Sequence, residues 1–104
     1  MKIEKTILVQ RLVGLLHAHA DTKDLDVRAH GANLIIARHE VFQRGAPPER
    51  DDRIRLTQLA RDRFGLSVKL HTGRWEPTPF HGSLAEMVEV MRSVMPHMLA
   101  PMGI

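Results

Sequence analysis

The sequence predicts an α+β fold, a two-layer sandwich in which an antiparallel meander sheet of four to five strands carries an N-terminal and a C-terminal helix. Three observations lead there. The hydrophobic period is helical at both ends of the chain and close to two between them. The connections between alternating stretches are short and rich in turn residues, which makes consecutive strands antiparallel neighbours. With 104 residues, 43% hydrophobic and 26% charged, the chain holds material for one core, so residues 1–104 read as a single domain.

From Ile3 to Ala20 the residues Leu8, Val9, Leu12, Val13, Leu15 and Leu16 gather on one arc at about 100° per residue, and Glu4, Arg11 and His17 fall off it. Asp21 to Asp24 favours a turn. Leu25, Val27 and Ala29 then alternate with Asp26 and Arg28, a half-buried strand. His30-Gly31-Ala32-Asn33 connects it to a second strand, Leu34 to Ala37, in a hairpin. Residues His39 to Asp52, with Gly45, Pro47-Pro48 and the charges from Glu49 to Asp51, keep no period and read as a long loop and candidate contact segment.

Alternation returns through Ile54 and Leu56, and after Ala60 to Arg63 it runs through Phe64, Leu66, Val68 and Leu70, giving a second hairpin. Trp75 to Phe80 is extended, and Pro77 and Pro79 confine it to an edge. Ser83-Leu84-Ala85-Glu86 matches a capping box and starts the last helix, whose apolar residues from Leu84 to Met98 cover nearly half of its circumference until Pro96 bends or ends it.

This order, α-β-β-β-β-(β)-α, is similar to the two helices around an antiparallel sheet of the frataxin family. The likeness is architectural. The acidic first helix of that family is absent, Glu4 being the acid of this one, and no iron-related function is carried over.

Composition narrows the chemistry. The chain has no cysteine, which removes disulfides, thiolate metal sites and thiol catalysis together and suits a reducing compartment. Gln10 and Arg11 interrupt the apolar stretch from Ile7 to Leu16, and Glu4 sits where a leader needs basic residues, so a signal peptide is not expected. No apolar run reaches the roughly 18 residues of a membrane span. The expectation is a bacterial-type cytoplasmic protein without membrane contact.

No grouping points to catalysis or a cofactor. Ser83 is accounted for as a helix cap, and neither a glycine-rich phosphate loop nor a nucleophile elbow is present. Of the seven histidines, His17 and His19 lie about 200° apart on a helix and cannot grip one ion. His30, His39, His71 and His81 fall in turns or loops, and no metal site is expected; a small-ligand pocket near Trp75, His71 and His81 would require tertiary convergence.

Two binding surfaces remain. Met87, Met91, Met95 and Met98 recur at helical spacing ahead of an apolar tail, and methionine adapts to irregular partners. With Trp75 as a further anchor, they predict a protein-interaction or adaptor module that self-associates as a homo-oligomer or meets a protein partner through the C-terminal helix. The alternative lies in the middle of the chain, where Arg38 to Trp75 holds nine basic residues against five acids. Alternation places Arg53, Arg55, Arg63 and Lys69 opposite the apolar positions, an arginine-lined outer face suited to the phosphates of nucleic acid. The sequence assigns no aromatic residue to that face.

Overall fold

The computed structural model describes residues 2–102, the side chains of residues 2 and 3 excepted. Its elements run α1 (Lys2–His17), β1 (Asp26–His30), β2 (Asn33–Glu40), β3 (Glu49–Ala60), β4 (Arg63–Lys69), β5 (Trp75–Gly82) and α2 (Leu84–Val94), followed by a 3-10 turn at Pro96–Met98. The strands form one antiparallel sheet in the order β1-β2-β3-β4-β5. The α+β meander sandwich is therefore the observed architecture, with β5 as its fifth strand.

One face of the sheet carries the core. Val27, Leu34, Ile36, Ile54, Leu56, Phe64 and Leu66 point to it, and Leu12 and Leu16 of α1 meet them there with Leu84, Met87, Val88 and Met91 of α2. These positions share a face because side chains alternate along a strand and recur every three or four residues along a helix. Among the described residues, no helix covers the other face.

Local chemistry explains where elements stop. α1 ends at His17, three residues before the expected Ala20, because the hydroxyl of fully buried Thr22 donates to the carbonyl of Leu16 and so satisfies an orphan group of the last turn. Gly31 takes φ 61° in the turn between β1 and β2, a conformation that costs glycine little. β5 lies at the edge, where its prolines break no ladder bond of a central strand. At the start of α2 the Glu86 N–H donates to the Ser83 hydroxyl at 3.1 Å, and the Ser83 N–H donates to the Glu86 carboxylate at 2.8 Å. Ser83→Ala is expected to lower stability by about 1 kcal/mol, read as a reduced urea midpoint at constant slope.

The expected loop from His39 to Asp52 is shorter in the structure. β2 runs on to Glu40 and β3 begins at Glu49, with Arg38 opposite Asp51 and His39 opposite Arg50. The period of two persists, but charges occupy both faces, so no apolar alternation marks it.

Candidate binding face of the sheet

The uncovered face presents Asp26, Arg28 and His30 from β1, Ile35 and His39 from β2, Arg50, Asp52 and Arg55 from β3, Arg63 and Lys69 from β4, and Trp75 and His81 from β5, as the strand registers dictate. Five fixed cations stand against two carboxylates. Guanidinium and ammonium groups so placed raise the local concentration of anions.

At one end the charges neutralise each other. Arg50 bridges Asp26 and Asp52, Arg28 reaches Asp52 at 3.0 Å, and His39 reaches Asp26 at 3.2 Å. Burial pushes the Asp26 carboxyl up, but the His39 hydrogen bond, the Arg50 charge and the Val27 N–H together outweigh it and hold the group below its ordinary value. Glu86 is lowered as well, first by the Ser83 N–H and then by its hydroxyl. A depressed carboxyl stabilises the fold above its unfolded-state pKa, and that contribution is lost as pH falls through the folded-state value. Urea midpoints are therefore expected to fall as pH is lowered below about 5, and to fall less in Asp26→Asn.

The middle of the face is different. Trp75 belongs to β5, yet the Arg55 guanidinium of β3 lies 5.2 Å from its ring centroid and the Lys69 ammonium of β4 lies 5.9 Å from it. Both are within reach of the negative face of the ring. The indole crosses β4, where the outward residue paired with Arg55 is the small, buried Ser67. Among the described residues, neither Arg55 nor Lys69 pairs with a carboxylate. The Arg55 Nε–H is buried and has no acceptor. A shallow depression of about 340 Å³ lies here, walled by Arg28, His30, Asn33, Arg55 and Trp75 with Ile35 and Asp52.

The four basic residues expected on this face separate. Arg55 and Lys69 are on it beside Trp75. Arg63 is at the far end, donating to the His81 ring at 3.2 Å. Arg53 is not on it: a bulge in β3 between the pairs Ile36–Ile54 and Ala37–Asp52 takes Arg53 out of alternation, and the residue is buried on the helix side. There its guanidinium donates to Asp51 at 2.6 Å, Glu40 at 2.8 Å, the Met98 carbonyl at 3.0 Å and the Ala100 carbonyl at 2.9 Å.

The methionine stripe is likewise placed by packing. Met87, Met91 and Met95 are buried in the core and Met98 is partly buried against it, so this stripe packs against the sheet. The apolar tail is also seated. Leu99 is in the core, Arg38 donates to its carbonyl at 2.8 Å, and the Met102 N–H donates to Glu40 at 2.6 Å; Gly103 and Ile104 lie outside the described residues. Buried Arg38, Glu40 and Arg53 thus strap the tail across the end of the sheet, an arrangement that no local motif announces.

His30, His39 and His81 sit on strands rather than in loops, and His71 occupies the turn before β5, with most of that strand between it and His81. Among the described residues no three His, Cys, Asp or Glu side chains form a group able to hold a metal ion. Among them, too, no helix is long and apolar enough to cross a membrane. Comparisons with protein-family models, curated proteins and solved structures find no match to the chain.

Proposed function

We propose that the chain is a non-enzymatic binding module that holds a phosphate-bearing partner on the open face of its sheet. The observation that carries this reading is the trio of Trp75, Arg55 and Lys69, two cations that among the described residues have no carboxylate partner, against an indole on the sheet face opposite the helices. Arginine and lysine released from ion pairing are the groups that replace counterions on a phosphate backbone. Self-association through Met87, Met91 and Met95 would require α2 to leave the sheet, which favours the sheet face over the C-terminal helix as the working surface.

Trp75 is the sole tryptophan, so its fluorescence reports on this face alone. Titration with inorganic polyphosphate at low salt is expected to change that fluorescence. Arg55→Ala with Lys69→Ala is expected to weaken binding and to reduce the slope of log affinity against log salt by about 1.4–1.8, since each lost phosphate contact removes about 0.7–0.9. Binding that is absent at low salt, or a slope the double variant leaves unchanged, rejects the reading.

A further inference from the structure

We infer that the partner is a single-stranded nucleic acid, held by a base stacked on Trp75 and by phosphates at Arg55, Lys69 and Arg28. The inference rests on the phosphate-binding reading above and adds the bases to it. The cations alone would accept any polyanion. The indole is what discriminates, because the half-buried ring and the Arg55 guanidinium over it are flat groups on which a base stacks, a contact that an inorganic chain cannot use and a duplex, whose bases already stack on each other, cannot reach.

The depression supplies the remaining contacts. Arg55 and Trp75 share it with Arg28, His30 and Asn33, so a nucleotide with its base at Trp75 has donors on the β1 and β2 side for its backbone. Thr57 donates to the Asn33 side-chain carbonyl at 2.6 Å, which fixes the amide so that its NH2 remains a donor. Asp52 is the one carboxylate at the depression, and Arg28 and Arg50 both engage it. A cationic partner would leave those donors idle.

The test uses four probes at one low salt concentration: a short oligodeoxythymidine, an abasic sugar-phosphate oligomer of equal length, its double-stranded counterpart, and poly-glutamate of matched charge. The intact single strand is expected to bind about five- to a hundredfold tighter than the abasic oligomer, the ratio that one stacked base supplies. Trp75→Leu is expected to abolish that ratio while abasic affinity stays within about twofold, and Trp75→Phe to keep part of it. Because the fluorophore is removed in these variants, affinity is read by anisotropy of labelled probe, with far-UV circular dichroism confirming the fold.

Equal affinity for intact and abasic strands overturns the inference and leaves the phosphate reading standing. So does a preference that survives in Trp75→Leu, or a duplex bound as tightly as the single strand; poly-glutamate bound as tightly overturns both readings. Failure of every phosphate probe to bind overturns both.

Discussion

Arg53→Ala is expected to destabilise the protein by about 3–5 kcal/mol, because it leaves the buried Glu40 carboxylate without its cation and takes the donor from two carbonyls of the tail. Arg53 is 8% exposed and Glu40 is 8% exposed, so water does not replace the lost partner. All four bonds of the guanidinium fork go to groups that hold the tail or the ends of β2 and β3. Lysine would not substitute: its compact ammonium cannot serve a carboxylate on one edge and two carbonyls on another. Urea unfolding at neutral pH measures the loss. Two comparisons isolate its cause. Arg63→Ala, at an exposed arginine, is expected to change stability by no more than about 0.5 kcal/mol. Arg53→Met with Glu40→Leu removes both charges and is expected to recover part of the loss, though the carbonyls of Met98 and Ala100 remain unpaired. A cost below about 1 kcal/mol for Arg53→Ala would show that the strap does not hold in solution.

Arg53 also marks where the fold stops being legible. The strands around Leu34 to Ile36, Ile54 to Leu56 and Phe64 to Val68 bury apolar side chains on one face and are visible as alternation. Past Ile36 and before Ile54 the same strands continue under a different cover, the backbone of the tail, which presents carbonyls. What suits carbonyls is guanidinium, so the inward residues there are Arg38, Glu40, Asp51 and Arg53, and the pattern looks like a charged loop. The bulge that turns Arg53 inward depends on the pairing of β3 with β2, which no local residue encodes.

The candidate face was legible in halves. Period two put Arg55 and Lys69 opposite the core correctly, because Ile54 and Leu56 flank Arg55 within the core and Val68, packed against it, precedes Lys69. Trp75 was readable as an edge residue next to prolines, but its face follows from its pairing with Lys69 in β4, a register set across a turn and an irregularity near Ser67. Its contact with Arg55, two strands away, depends on Ser67 being small between them. The capping box at Ser83, by contrast, is a four-residue interaction and was readable in full.

Met91→Ala tests the part of the sequence pattern that two structures could share. A methionine stripe serves a core and a partner interface equally well, and the spacing of Met87, Met91 and Met95 is the same in either case. In the structure Met91 has no exposed surface and packs with Leu84, Met87 and Val88 against the sheet. Truncation there leaves a cavity in a core that relaxes only in part, and is expected to lower unfolding free energy by about 2–5 kcal/mol. Val94→Ala, at a residue of the same helix that is 53% exposed, is expected to cost no more than about 0.5 kcal/mol beyond its helix propensity. The paired readout is light scattering. If α2 is seated as described, Met91→Ala shifts the urea midpoint and leaves the molar mass of the folded protein unchanged. If the stripe instead faced a second chain, the variant would alter the molar mass and its concentration dependence, because an obligate partner's stability follows protomer concentration. That outcome would return the C-terminal helix to the role of working surface and remove the ground for preferring the open sheet face.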